Sequence, residues 1–150
     1  MYNRILVPLD GSTFAEAALG HARTLARCTG ADIVLVRVAT LPMYEYVAAE
    51  PLLYQSIEQD SEKESAAYLD KVAGDLKAEG FHVSAETCAG PVAETILDYA
   101  RDISADIIVM STHGRSGLAR WFIGSIADKI VRGATLPVLL ARPDLTSNAA

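Results

Sequence analysis

Cysteine is scarce in this 150-residue chain, and its two copies, Cys28 and Cys88, show neither CxxC nor metal-ligand spacing. That excludes a disulfide framework and a zinc module, and it fits a reduced, cytoplasmic protein. Long apolar runs are missing as well. None approaches the roughly 20 residues needed to span a bilayer, and Pro8, Asp10 and Gly11 interrupt the first run too early for a signal peptide. Positive charge is in deficit: 13 Lys and Arg against 19 Asp and Glu leave a net charge of −6. No bulk attraction to nucleic acid or to an anionic membrane is expected from that balance. Also missing are the Walker pattern (GxxxxGK followed by Ser or Thr), internal repeats, linkers and low-complexity segments. What remains is an ordinary globular composition, 51% hydrophobic and 21% charged. It excludes general disorder and predicts one domain that buries roughly 68–70% of its unfolded surface.

Short apolar runs alternate with longer helical stretches. Ile5 to Leu9 is a continuous apolar run of the kind found in strands buried on both faces. Asp10-Gly11-Ser12-Thr13 breaks it, and Thr13 with Glu16 predicts a capping box. The helix that follows, about 13–28, would bury Phe14, Ala18, Ala22 and Leu25 and stop at Gly30. Ile33 to Val38 reads as a second strand. An aromatic-rich connection with Tyr44, Tyr46 and Tyr54 leads to a long helix over about 53–79, whose buried stripe is Ala66, Leu69, Val72, Ala73 and Leu76. Phe81 to Cys88 alternates as a third strand. Gly90-Pro91 opens a helix with proline at its first position and Ile96, Leu97 and Ala100 as its stripe. Ala105 to Met110 and Val138 to Ala141 complete the strands. Such alternation predicts a parallel sheet covered by helices on both faces, with ligands at the carboxyl ends of the strands where strand order reverses.

Two segments are suited to that position, the turn from Pro8 to Ser12 and the stretch from Ser111 to Ser125, which carries Gly114, Gly117 and Gly124. A strand that delivers a glycine- and serine-bearing loop to a helix start builds an anion site from unpaired N–H groups and the helix dipole. Glycine at 124 would let a phosphate approach the backbone closely, although a tight turn explains it too. Ser125 reads as a helix N-cap with Asp128 completing a capping box, a role compatible with phosphate contact. Arg115 and Arg120 place two positive charges beside the loop, as phosphate contacts or as solvated side chains. His113 has no nucleophile and orienting partner arranged around it, so a structural or ligand-orienting role outweighs general-base catalysis. Trp121 and Phe122 read as core or interface residues, and Cys88 as a small buried hydrophobe.

These residues resemble the universal stress protein family, and the resemblance runs from about Asn3 to Arg142. The family's nucleotide-binding signature is a glycine, two residues, a glycine, nine residues, a glycine and a Ser or Thr. Gly114, the nine residues from Arg115 to Ile123, Gly124 and Ser125 match its later elements, while Ser111 stands at the first glycine. Ile5 to Ser12 is similar to the family's opening strand and turn, Gly90 to Ile96 to a helix start, and Leu136 to Leu140 to its closing strand. The resemblance implies a three-layer α/β/α sandwich around a five-stranded parallel sheet of order 3-2-1-4-5, like the adenine nucleotide α-hydrolases. It implies an adenine nucleotide as ligand (ATP, or ADP or AMP), with magnesium accompanying ATP. Asp10 and Val38 would line the adenine and ribose end, with Met110 against base or sugar, and Pro8 and Leu9 would also contact the ligand. Gly114, Gly117, Gly124 and Ser125 would supply donors to the phosphates, Arg115 and Arg120 would neutralise the outer ones, and Ser111, His113 and Ile126 would also contact the ligand.

The implied role is a dimeric sensor or switch in a stress response, at most a weak ATPase or autophosphorylating protein. The edge strand Val138 to Ala141 would join two copies. Two other classes compete with this reading. One is a nucleotide-free dimeric scaffold. The other is an enzyme related to the nucleotide α-hydrolases, whose pyrophosphate-gripping loop would have to be Asp10 to Thr13, without the paired glycines that such a grip uses.

Overall fold

The computed structural model describes residues 1–39, 51–113 and 123–142, with no side chains described for residues 51–54. Its strands are β1 (Arg4–Pro8), β2 (Asp32–Ala39), β3 (Val83–Ala89), β4 (Ile107–Ser111) and β5 (Val138–Ala141). The helices are α1 (Thr13–Thr29), α2 (Pro51–Ala78), α3 (Val92–Asp102) and α4 (Ser125–Gly133). All strand pairs are parallel and the sheet order is β3-β2-β1-β4-β5, as the resemblance implied. The tyrosine-bearing connection, Trp121 and Phe122 lie outside the described residues or side chains.

The continuous apolar runs are explained by the two faces of the sheet. In a strand, successive side chains point to opposite sides. Ile5, Val7, Ile33, Leu35, Ile107 and Val109 pack with α1 and α2 in one core cluster. Leu6, Val34, Val36, Ile108 and Met110, the alternate residues of the same strands, pack with α3 and α4 in the other. Both faces are buried, so neither can be polar. β3 and β5 form the edges of the sheet.

Helix α1 approaches the sheet through small residues, burying Ala15, Ala18, Leu19, Ala22 and Ala26, while Phe14 and Leu25 are only half-buried. Its N-cap is Ser12, whose Oγ accepts from Ala15 N–H at 3.1 Å, in place of the predicted Thr13–Glu16 capping box. Glu16 instead accepts from the Tyr68 hydroxyl at 2.8 Å. Gly30 ends the helix in the left-handed conformation at φ 74°, as predicted. In α2 the buried stripe is Ser65, Leu69, Ala73 and Leu76, with Val72 half-buried. Ala66 is exposed, because Ser65 occupies the inward position four residues before Leu69. Pro91 is the N-cap of α3, so the first helical residue is Val92, one place after the predicted start.

The sheet is tied at one end and splayed at the other. At the amino ends, Asp106 Oδ2 accepts from Asn3 N–H at 2.7 Å and from Arg4 N–H at 2.9 Å, joining the start of β1 to the start of β4. These backbone bonds hold the Asp106 carboxyl below the usual carboxylate range. Toward the carboxyl ends, β1 stays paired with β2 through Pro8↔Val36, but its pairing with β4 stops at Leu6↔Ile108. Pro8 has no N–H to continue a ladder. Chain order reverses between β1 and β4, and the crevice between them opens there.

Candidate functional site

A cavity of about 440 Å³ occupies that crevice, within the range of roughly 300–1,000 Å³ typical of small-molecule sites. Ten of the residues singled out in the sequence line it. Pro8, Leu9 and Asp10 come from the end of β1, Val38 from β2, and Met110 and Ser111 from β4. His113 follows β4, and Gly124, Ser125 and Ile126 come from the start of α4. The other four, Gly114, Arg115, Gly117 and Arg120, lie outside the described residues.

The β1–α1 turn is built locally. Asp10 Oδ1 accepts from the Ser12 backbone N–H at 2.9 Å and from Ser12 Oγ–H at 2.6 Å, an Asx-type closure that fixes the carboxylate at the cleft. Gly11 takes φ +85°, a conformation that favours glycine. On the opposite wall, Thr112 N–H donates to Ala141 O at 2.9 Å and extends the β4–β5 ladder by one bond. The buried Ser111 hydroxyl accepts from His113 N–H at 3.3 Å, so the serine at the first glycine position closes its own turn. Thr112 Oγ1 and His113 Nδ1 share a hydrogen bond of 2.8 Å, which orients the imidazole.

The start of α4 corrects two expectations. Ser125 is the first helical residue and the N-cap is Gly124, so no Ser125–Asp128 capping box forms; Asp128 pairs with Arg132 instead. Gly124 is also not an open phosphate donor. Its N–H donates to Thr112 O at 2.8 Å, and a Cβ placed on it would stand 3.0 Å from the same oxygen. With φ at −59° its backbone suits any residue, so close approach to the end of β4 is what calls for glycine. The first intrahelical bond is Asp128 N–H to Gly124 O. Among the described residues, the amides of Ser125, Ile126 and Ala127 therefore meet no acceptor, and all of these residues line the cavity. A serine N-cap would have filled one such donor; the glycine N-cap offers no side-chain acceptor to these amides at the positive end of the helix dipole.

Sequence reasoning missed much of the opposite wall, where Ala15, Arg37, Ala39, Ser61, Glu64 and Ser65 border the cavity. It also missed Val36, Val92, Ile96, Thr112 and Ala127. One signal was available: Arg37 is the single charged residue within the apolar run Ile33–Val38. Its guanidinium carbon lies 5.3 Å from the centroid of the Tyr68 ring, a cation–π geometry. Burial, the hydrogen bond to Glu16 and the charges of Glu16 and Asp10 hold the Tyr68 hydroxyl well above the ordinary tyrosine value, so it stays protonated. The described residues include no cluster of three or more His, Cys, Asp or Glu side chains placed to hold a metal, and no described helix is long and apolar enough to cross a membrane.

Known proteins share this architecture. The sequence model of the Universal stress protein family matches residues 1–142. Universal stress protein MJ0531 of Methanocaldococcus jannaschii is 30% identical over 142 residues, covering 95% of this chain and 83% of that protein. The solved structure of MJ0577, a universal stress protein of the same organism, is 25% identical with a TM-score of 0.84, covering 95% of this chain and 97% of that one. A universal stress protein of Archaeoglobus fulgidus, solved in complex with dAMP, is 22% identical with a TM-score of 0.68, covering 93% and 98% of the two chains. This last likeness shows the fold alone. By its sequence over residues 1–142 and by its fold, the chain belongs to the Universal stress protein family.

Proposed function

We propose that the cleft holds an adenine nucleotide and that its occupancy makes the protein a switch in a stress response. One observation carries this reading: Ser125, Ile126 and Ala127, whose amides meet no acceptor among the described residues, line a cavity at the point where strand order reverses. They supply the donors and the positive helix end that a phosphate chain takes. Asp10 and the end of β2 at Val38 would border base and ribose, and the apolar side chains of Val36, Val92, Ile96 and Met110 give the base a place out of water. The Archaeoglobus relative with dAMP supports an adenine nucleotide as the ligand class. ATP would bring magnesium with it; Gly114 belongs to the same reading through the sequence signature, and Arg115, Gly117 and Arg120 through their place in the segment between its last two glycines.

The protein would work as a homodimer joined through the open edge of β5, in the cytoplasm. In the β4–β5 ladder Pro137 O and Ala141 O accept from Ile108 and Thr112. By the alternation of a parallel ladder, Val138 and Leu140 turn their N–H and C=O groups to the open side. Denaturing the freshly purified protein and identifying released small molecules by mass spectrometry tests the ligand class. An adenine nucleotide in near-stoichiometric amount is expected; a different ligand class in that amount would overturn the reading.

A further inference from the structure

The proposed nucleotide accounts for the α3/α4 side of the cleft and the end of β1, but not for the polarity on the α1/α2 side. Arg37 lies there, on the same face of β2 as Ile33 and Leu35, and only 8% of it is exposed. The guanidinium stacks on Tyr68 and reaches the β1–α1 turn, with Nη1 3.2 Å from where a Cβ on Gly11 would be. No ion pair within 4.0 Å joins it to a described carboxylate. A cation–π contact satisfies none of the guanidinium's N–H donors by itself. Asp10 and Glu16, which with Arg37 act on the Tyr68 hydroxyl, offset the cation's charge from a distance. Ser65 is 1% exposed, and its Oγ is a buried side-chain polar atom with no hydrogen-bond partner. Both residues line the same cavity.

Burying a hydroxyl without a partner is unfavourable, and an unpartnered hydroxyl beside a nearly buried guanidinium in a native cleft calls for a ligand atom or water to meet it. Arginine's planar fork fits the paired oxygens of phosphate or carboxylate, and a serine hydroxyl donates to the same groups. We propose that the α1/α2 side of the cleft is a second subsite that takes an oxyanion, with Arg37 gripping it through its fork and Ser65 donating to it. The oxyanion is either a second phosphate on the nucleotide's ribose or a free anion bound beside the nucleotide. Only the first source rests on the nucleotide reading above. Glu64, exposed at the cavity lining, keeps the subsite from being uniformly positive.

Calorimetric titrations of the wild-type chain, Arg37→Gln and Ser65→Ala with AMP, with adenosine 3′,5′-bisphosphate, and with inorganic phosphate in the presence of AMP test this. The wild type is expected to bind the bisphosphate about tenfold or more tighter than AMP, the size of one charge-assisted contact. Arg37→Gln abolishes that advantage while AMP affinity stays within about threefold. Ser65→Ala lowers the advantage with Tm unchanged or raised, since it removes an unpartnered hydroxyl and adds a better helix former. It therefore serves even if Arg37→Gln does not fold. Phosphate binding to the AMP-saturated protein that depends on Arg37 assigns the subsite to a free anion. If AMP fails to bind but phosphate alone does, in an Arg37-dependent way, the nucleotide reading falls and the subsite stands. The proposal is overturned if neither anion shows added binding, or if that binding persists undiminished in both variants.

Discussion

Gly124→Ala puts the packing of α4 against β4 to a direct test. The backbone at 124, with φ −59° and ψ 151°, is open to alanine. Less freedom in the unfolded chain favours the substitution by about 0.4–1 kcal/mol. Alanine is the poorer N-cap by several tenths of a kcal/mol, which roughly cancels that gain. The sign then rests on the added methyl, 3.0 Å from Thr112 O. That oxygen cannot yield freely, because Thr112 is held by its own N–H to Ala141 O at 2.9 Å and receives Gly124 N–H at 2.8 Å. Overpacking of this kind costs about 1–3 kcal/mol, which for a chain of this size lowers Tm by about 2–12 °C. Helix α4 must back away, the Ser125–Ala127 amides lose their aim, and nucleotide affinity is expected to fall about tenfold or more. Differential scanning calorimetry and nucleotide titration read the two effects separately. An unchanged or higher Tm would refute the close-approach argument; a lowered Tm with unaltered affinity would show that the amides do not hold the phosphates.

Other perturbations address single links. Tyr68→Phe removes the hydroxyl bonded to Glu16 and should cost about 1 kcal/mol in urea unfolding. Because the folded-state value of the Tyr68 hydroxyl lies above its ordinary value near 10, the native state holds a proton that the unfolded chain releases. Stability should therefore fall as pH rises above about 10, and less steeply in Tyr68→Phe, with Tyr99, also raised by burial, supplying a remainder. Asp106 behaves in the opposite sense: its depressed value contributes stability above the ordinary carboxylate range that disappears as pH falls through the folded-state value. Asp106→Ala should thus destabilise at pH 7 and lose its difference from wild type in acid, as followed by circular dichroism. Leu140→Pro removes an N–H from the open edge of β5 and should give a monomer by analytical ultracentrifugation, where an unchanged dimer would exclude that edge as the contact.

Element order was legible in the sequence because the inner strands β1, β2 and β4 are buried on both faces, while the edge strand β3 alternates. A run such as Ile33–Val38 cannot be mistaken for an amphipathic helix of that length, and Gly30 and Gly80 punctuate what precedes the second and third strands. Helix starts were legible only to within a residue. Ser12 displaced Thr13, and Gly124 displaced Ser125, because the choice depends on which backbone groups the neighbouring strands already engage. Gly124 N–H is committed to Thr112 O, a contact that no local pattern reveals. On the α3/α4 side, Gly124, Ser125 and Ile126 came with a motif of fixed spacing, while Val92, Ile96 and Ala127 carry no such signal. The other half comes from isolated residues on β2 and α2, Arg37 and Ser65, brought together only by the β1-β2 register and the packing of α2. Ser65 lay hidden in a helical stripe read one position off, at Ala66.

Titrating ATP with magnesium into nucleotide-stripped protein tests the central claim most directly. Saturable, roughly stoichiometric binding in the micromolar range is predicted, the strength expected of a few charge-assisted bonds after association costs. No heat of binding up to millimolar ATP would contradict it.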